Sequence, residues 1–191
     1  MSDLPRVWPL VNSQYGPDLV ICRARFDTLT NPRTGKDMQR TVLETPEWCN
    51  VVALTREGRL VVVRQFRFGS AKVTTEIPGG VVDPGEEHGD AARRELREEC
   101  GYTSERWSYL GCVEPNPAFH DNLCHHWLAT GCTKVAEHLE LDAGEDIVVC
   151  VEKLERVKQR VRAGEIRHVL VQSALQRVVD LFGVSDGRHE D

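Results

Sequence analysis

The sequence predicts a mixed α/β domain, and three observations support this class. Segments with alternating or β-branched apolar residues occur on both sides of a central segment rich in helix-forming residues. Two later segments place apolar residues at helical spacing. The chain has 191 residues, 40% of them apolar and 28% charged, which is enough for one domain with a core and a small additional element.

The first predicted strands lie near the amino terminus. In Asp18–Leu29, every second residue from Val20 to Phe26 is apolar, which indicates a period-two strand. The segment TNPRTGKD follows and predicts a turn, and Met38–Glu44 returns as a second strand before Pro46. Residues 1–45 are therefore expected to form an antiparallel β-hairpin element.

The next strands belong to the predicted main domain, residues 46–183. Asn50–Thr55 and Arg59–Phe66 flank the turn Arg56-Glu57-Gly58, and their β-branched residues predict buried strands in a hairpin. Further strands are expected at residues 107–113, 124–130 and 147–151.

Three helices are predicted. The segment DAARRELREEC, residues 90–100, is rich in helix formers and is followed by Gly101 as a stop. Residues 152–164 and 168–183 each carry an apolar stripe and end at a glycine. The last eight residues, 184–191, are expected to be a polar tail.

Composition excludes several function classes. The start MSDLPRVWPL has no apolar stretch of signal-peptide length, and no 18-residue apolar run occurs later, so a cytoplasmic protein without membrane contact is expected. A net charge of −6 argues against a broad nucleic-acid surface. The seven cysteines are scattered and never spaced C-x-x-C, which favours reduced thiols.

The segment HDNLCHH, residues 120–126, contains three histidines and a cysteine that could be zinc ligands. Alternation along a strand would place Cys124 and His126 on one face and His125 on the other. This arrangement separates the ligands and argues against zinc.

Glutamates cluster on the central helix. At about 100° per residue, Glu95, Glu98 and Glu99 share one arc of about 100°, while Ala92 and the apolar positions four and eight residues later face the core. Arg93 and Arg97 are expected to point away from the carboxylates. Like charges at this spacing repel, but Mg²⁺ prefers such oxygen ligands together with a substrate phosphate. A solvated acidic face is the alternative.

The spacing of these residues resembles a known family motif. Gly80, five residues, Glu86, seven residues and then the segment from Arg94 to Tyr102 are similar to the Nudix box, G-x5-E-x7-R-E-U-x-E-E-x-G-U. All fixed identities are present, and Tyr102 is aromatic where an aliphatic residue is usual. The resemblance implies an α/β/α sandwich with a mixed sheet, in which the box forms a loop–helix–loop. It also implies hydrolysis of a nucleoside diphosphate linked to another group.

The resemblance also implies roles within the box. Glu95, Glu98 and Glu99 would hold Mg²⁺, for which Mn²⁺ can substitute, and the carbonyl of Gly79 would add a further oxygen. Glu86 and Arg94 would form an ion pair that braces the loop against the helix.

Segments outside the box look like the ADP-ribose pyrophosphatase and nucleoside-diphosphate-sugar branch of the family. These segments are VVVRQFRFG, TEIPGGVVDPGE and a proline at position 117, fifteen residues beyond Tyr102. By analogy Arg67, Arg64 and Glu76 would contact the phosphates or the terminal ribose, with Trp48, Phe66 or Phe119 as a stacking residue. The resemblance also implies a homodimer joined through the amino-terminal strands.

A carboxylate outside the box is expected to act as the general base. Glu145 in LELDAGEDI is the first choice and Glu140 the second, and Glu98 completes the catalytic candidates. Related enzymes often carry another acid where Ala143 stands, so the two choices stay open.

The expected activity is Mg²⁺-dependent hydrolysis of ADP-ribose or a nucleotide sugar such as GDP-mannose to a nucleoside monophosphate and a sugar phosphate. One alternative is hydrolysis of dinucleoside polyphosphates or oxidised nucleotides. A second is a sensor that binds ADP-ribose without turnover, although such proteins usually lose box glutamates.

Overall fold

The structure is a computed structural model that describes residues 4–136, 138–141, 144 and 146–182. The strands are β1 Leu10–Asp18, β2 Arg23–Thr30, β3 Asp37–Glu44, β4 Trp48–Thr55, β5 Arg59–Arg67, β6 Lys72–Glu76, β7 Gly79–Val81, β8 Tyr102–Thr103, β9 Arg106–Val113, β10 Cys124–Lys134 and β11 Ile147–Lys153. The helices are α1 His88–Cys100, α2 Leu154–Arg162 and α3 Val169–Gln176. Within the described ranges, none of these helices combines the length and apolarity needed to cross a membrane.

Residue contacts divide the chain into two compact units. The amino-terminal unit comprises Met1–Pro46 with Glu114–Leu123, and the main unit comprises Glu47–Val113 with Cys124–Asp191. The segment from Glu114 to Leu123 thus groups with the amino-terminal strands, and Leu43 donates its N–H to the carbonyl of Phe119 at 2.7 Å.

The amino-terminal unit contains a three-stranded antiparallel sheet in the order β1-β2-β3. The strand predicted over Asp18–Leu29 begins only at Arg23, because a turn precedes it. Leu19 donates its N–H to Cys22 O at 2.8 Å, and Val20 has a φ of 73°. The turn reverses the chain so that β2 pairs with β1. The sequence analysis did not predict strand β1.

The main unit contains a mixed sheet, as predicted. Its order is β11-β5-β4-β10-β8, with β6 paired to β5, β7 to β4 and β9 to β10. The pair β4–β10 is parallel, whereas the other pairs are antiparallel. The predicted hairpin is confirmed, because Leu54 pairs with Leu60 and Gly58 N donates to Thr55 O at 3.0 Å.

Alternation along β4 and β5 builds a core on each face of this sheet. Val51 and Val63 pack in a cluster with Leu96 of α1. Their neighbours Val52 and Val62 pack in a second cluster with residues of α2 and α3. The sheet therefore has α1 on one face and α2 with α3 on the other, which confirms the predicted sandwich.

The central helix agrees with its prediction, and the last helix is shorter than predicted. At the end of α1, Gly101 has a φ of 70° and donates its N–H to Arg97 O at 2.8 Å, which is a left-handed helix stop. Helix α3 ends at Gln176, not at Gly183. The next residue, Arg177, donates through its side chain to the carbonyls of Leu110 and Cys112, and this attachment to β9 accompanies the helix end. Residues 183–191 lie outside the described residues.

The histidine and cysteine cluster alternates as predicted. His126 is fully buried, with Nδ1 2.7 Å from Asn50 Oδ1 and Nε2 3.1 Å from Ser173 Oγ. His125 contacts Tyr109 and Glu47 instead, each at 2.9 Å. All seven cysteines are free thiols. Each ring nitrogen of these two histidines thus has a protein partner.

Candidate active site

Two box carboxylates lie against the backbone of β7. Gly79 donates its N–H to Glu99 Oε2 at 2.9 Å. A Cβ added at Gly80 would lie 2.3 Å from Glu95 Oε1, so only glycine permits this approach. Glu95 and Glu99 are buried, with exposed fractions of 8% and 3%. The pairing of Gly79 with Asn50 on β4 holds this strand beside the helix.

Arg94 connects the loop to the carboxylates of α1. Its Nε and Nη2 donate to the two carboxylate oxygens of Glu86, each at 3.0 Å, which confirms the predicted bidentate pair. Its Nη1 donates to Glu95 Oε1 at 2.8 Å and to Glu98 Oε2 at 3.3 Å. Oxygens of two helix carboxylates therefore converge on one nitrogen atom.

The charges in this group shift the titration of its members. The hydrogen bond from Arg94 lowers the pKa of Glu86, and the same bond raises the pKa of Arg94. Burial raises the pKa of the neighbouring Cys49 thiol to about 12. Near neutral pH the group therefore contains an ionised Glu86, a charged Arg94 and a protonated, unreactive thiol.

The donor set suits a hard divalent cation. Glu95, Glu98 and Glu99 offer carboxylate oxygens, the ligands that such cations prefer, and Glu95 and Glu98 already converge on a positive group. Within the described residues, no three His, Cys, Asp or Glu side chains are arranged as a ready metal cluster. This agrees with the positions of Glu95 and Glu98, which are hydrogen-bonded to Arg94.

The two candidate bases differ in what the structure shows. Glu140 lies beside the box helix, because its N–H donates to Glu98 O at 3.2 Å and its Oε1 accepts from Arg97 at 3.3 Å. Arg97 also contacts Glu98 Oε1 at 3.3 Å, so the prediction that it points away from the carboxylates was wrong. The long side chain reaches one residue along the helix surface. Glu145 lies outside the described residues.

Arg67 and Glu76 form a second polar group. Arg67 donates to both carboxylate oxygens of Glu76, at 2.8 and 2.7 Å, and Thr74 donates to Glu76 Oε1 at 2.6 Å. His168, which precedes α3, has Nε2 3.7 Å from Glu76 Oε2. Burial tends to raise the pKa of Glu76, but the hydrogen bonds from Arg67 and Thr74 outweigh it and leave the pKa lowered.

Sequence reasoning missed Thr74 and His168 in this group. Thr74 could have been found, because a residue two positions before Glu76 on a strand shares its face. No comparable signal marks His168, which is 92 positions away in the sequence.

The other predicted substrate residues have different surroundings. Arg64 lies three positions before Arg67 on β5, so alternation directs the two side chains to opposite faces. Its Nη2 donates to Glu152 Oε1 at 3.1 Å, an oxygen that also accepts from Arg160 of α2 at 2.9 Å. The structure therefore does not bring Arg64 together with Arg67 and Glu76. Trp48 begins β4 and pairs with Val81 of β7 and Cys124 of β10.

Comparison with known proteins gives a family match and several relatives. Residues 47–170 match the family model described as the NUDIX domain. The chain is 33% identical over 142 residues to the ADP-ribose pyrophosphatase of Bacillus subtilis (strain 168), covering 74% of this chain and 77% of the relative. It is 31% identical over 146 residues to the methanol dehydrogenase activator of Bacillus methanolicus, covering 76% and 78%.

A solved structure supports the fold. The chain superposes on the crystal structure of an ADP compounds hydrolase with a TM-score of 0.80 and 19% identity, covering 93% of this chain and 95% of the other. At that identity the match supports the fold alone. The family match and the B. subtilis relative confirm the resemblance seen in the box and support a pyrophosphohydrolase. Hydrolases of this family generally use divalent metal ions.

Proposed function

The chain belongs to the Nudix family, and on that premise we propose that it hydrolyses the pyrophosphate bond of ADP-ribose with Mg²⁺. The products would be AMP and ribose 5-phosphate. Similarity to the B. subtilis ADP-ribose pyrophosphatase favours this substrate over GDP-mannose and other nucleotide sugars. Dinucleoside polyphosphates and oxidised nucleotides remain the comparison substrates.

The observation that carries the proposal is the arrangement of carboxylates around Arg94 and β7. Glu95 and Glu98 converge on Arg94 Nη1, and the N–H of Gly79 holds Glu99. Glu95, Glu98 and Glu99, with the carbonyl of Gly79, would hold the cation. When bound, Mg²⁺ neutralises phosphate charge and makes a water more acidic.

Arg67 and Glu76 are the proposed substrate-binding pair. Arg67 is held by both oxygens of a buried carboxylate, and its side chain keeps 45% of its surface exposed. A guanidinium fixed in this way can orient a diphosphate without losing much conformational freedom on binding. Trp48 is retained as the proposed stacking residue, whereas Arg64 is bound to Glu152 on the other face of β5 and is not part of the proposed substrate-binding pair.

For the general base we propose Glu145, with Glu140 as the second choice. Glu140 has the support of proximity, because it contacts Arg97 and the backbone of Glu98. The two are separated by comparing Glu145→Gln with Glu140→Gln. The base variant should lose kcat about 10²–10⁴-fold with little change in KM, whereas the other should stay within a few-fold of the wild type.

The function is tested with a substrate panel on the purified full chain. ADP-ribose, GDP-mannose, UDP-glucose, diadenosine polyphosphate and 8-oxo-dGTP are each incubated with Mg²⁺, with Mn²⁺ and with a chelator. We expect AMP release from ADP-ribose with the highest kcat/KM and no turnover with the chelator. Binding of ADP-ribose without AMP release would instead favour a sensor, and the activator name of the B. methanolicus relative makes that outcome worth measuring.

We also propose a cytoplasmic homodimer joined through residues 1–45, with no nucleic-acid or membrane partner. Support comes from apolar side chains that the amino-terminal unit exposes: Leu10, Val11, Tyr15, Leu19 and Ile21. A contiguous patch of exposed apolar side chains is typical of a protein–protein interface. Light scattering of the full chain should give twice the 21.6 kDa chain mass, and a monomer would contradict this proposal.

A further inference from the structure

The amino-terminal unit contains a pocket that the proposed hydrolysis does not use. It lies between the segment that precedes β1 and the turn that joins β2 to β3, and its volume is about 920 Å³. The lining includes Pro5, Arg6 and Trp8 on one side and Asn31 and Arg33 on the other. This volume is within the range of about 300–1,000 Å³ that is usual for small-molecule sites. We refer to it as the Trp8 pocket.

Hydrogen bonds hold both walls of the Trp8 pocket. Arg6 donates through Nη2 to the carbonyl of Pro32, and the N–H of Thr30 donates to Pro9 O at 3.0 Å. The turn is closed by Asn31 N to Lys36 O at 2.9 Å. The segment before β1 is therefore attached to the turn at two points, and these attachments give the pocket a defined shape.

The chemistry of the Trp8 pocket is aromatic and cationic. Arg6 and Arg33 line it, and none of its described lining residues is acidic. The guanidinium carbon of Arg40 lies 5.7 Å from the centre of the Trp8 ring. Two arginines thus line the pocket together with a half-buried indole, and a third lies near the indole ring, in a chain whose net charge is −6. One guanidinium group can donate hydrogen bonds to two phosphate oxygens at once, and the face of an indole ring can stack on a nucleobase.

We propose that the Trp8 pocket binds a mononucleotide. Its base would stack on the Trp8 ring, and its phosphate would lie between Arg6 and Arg33. Arginine and tryptophan together select a ligand with both an aromatic ring and a negative charge. An apolar ligand would leave the guanidinium groups unused, and inorganic phosphate would leave the indole uncovered. None of the lining residues belongs to the Nudix box, so the site is additional to the hydrolytic one.

Photolabelling of the full chain tests this proposal. The probe is 8-azido-AMP, and the labelled peptides are identified by mass spectrometry. We expect label on peptides from residues 4–33, competed by AMP but not by adenosine. Trp8→Ala and Arg33→Glu should each reduce this label on the order of tenfold, because base stacking and phosphate pairing each contribute that much to binding. ADP-ribose turnover without added AMP should stay at the wild-type rate.

A matched control is available on the same sheet. The guanidinium carbon of Arg23 lies 3.8 Å above the ring of Tyr15, a second arginine–aromatic pair that does not line the pocket. Arg23→Glu, a charge reversal like Arg33→Glu, should therefore keep the label. Labels confined to residues 47–170, or labelling that is equal in wild type, Trp8→Ala and Arg33→Glu, would overturn the proposal. If Trp8→Ala loses its circular dichroism signal, the exposed Arg33→Glu variant decides the outcome.

Discussion

Replacing Gly80 with alanine should displace one proposed metal ligand while leaving the fold intact. The added Cβ would lie 2.3 Å from Oε1 and 2.6 Å from Cδ of Glu95. Since real Cβ contacts essentially never fall below 3.0 Å, the carboxylate has to move by about 0.7 Å or more. Gly80 does not have a positive φ, so alanine adds no backbone strain. The perturbation therefore acts on the end of one flexible side chain.

The expected effect is a loss of turnover much larger than the loss of stability. A displacement of about 1 Å in a catalytic group can reduce the rate about 10²-fold, so Gly80→Ala should lower kcat ten- to hundredfold. The Mg²⁺ concentration needed for half-maximal activity should rise as well. Thermal unfolding should change by only a few degrees, because the Glu95 side chain can rotate away from the new methyl group.

Two comparisons isolate the role of Glu95 in this experiment. Gly69→Ala is the matched control, since nothing lies within 4 Å of its added Cβ and its φ is not positive. In a Glu95→Ala background, Gly80→Ala should have little further effect, because the side chain it displaces is already gone. Wild-type turnover and Mg²⁺ dependence in Gly80→Ala, or full additivity with Glu95→Ala, would refute the reasoning.

Three further predictions concern the box and the buried histidine. Glu99→Gln should keep the fold, because the glutamine amide oxygen can still accept a hydrogen bond from the N–H of Gly79. The variant should nevertheless lose most of its turnover at saturating Mg²⁺. Retained turnover would contradict the role of Glu99 as a metal ligand. The pKa of Glu86 is lower in the folded protein than in the unfolded chain, where it is about 4.3. The ionised carboxylate therefore stabilises the fold above about pH 4.3, and this stabilisation is lost as the pH falls through the pKa of the folded state. Thermal melts should therefore show wild type and Glu86→Gln converging at the acid end of a series from pH 6 to 3, and parallel curves would argue against the assignment. Burial lowers the pKa of His126 to about 4, so the unfolded chain binds an extra proton between about pH 6.5 and 4. Chemical denaturation should show that the free energy of unfolding falls on the order of 3 kcal/mol across that range. The fall should be smaller in His126→Gln. An equal dependence of the unfolding free energy on pH in both proteins would contradict this role of His126.

Much of the main unit could be predicted because its strands and helices carry their own periodicity. The β4–β5 hairpin has β-branched residues around Gly58, and α1 combines an apolar stripe with Gly101 as a stop. Strand β1 lacks this signal, because almost all of its side chains are exposed. Strand β7 has only three residues, beginning with two glycines, which in a sequence indicate a turn.

The site was predictable where its geometry is local. Helix periodicity alone places Glu95, Glu98 and Glu99 on one arc, and family spacing adds Glu86 and Arg94. Contacts between distant segments leave no such pattern. His168 approaches Glu76 only through the packing of α3 on the sheet, and α3 ends where Arg177 reaches the carbonyls of β9. Tertiary contacts of this kind depend on the assembled sandwich.

Arg94 explains how α1 can carry carboxylates at a spacing that normally destabilises a helix. A guanidinium has five N–H donors, and all five have an acceptor: two oxygens of Glu86, one each of Glu95 and Glu98, and the carbonyl of Val81. A lysine at this position could satisfy at most three of them. Because Arg94 already offsets the repulsion between the helix carboxylates, the site can fold before a cation binds. A cation then has to compete with Nη1 of Arg94 for Glu95 and Glu98, and with Arg97 for Glu98. The other three bonds of Arg94 continue to hold β7 and the loop against α1.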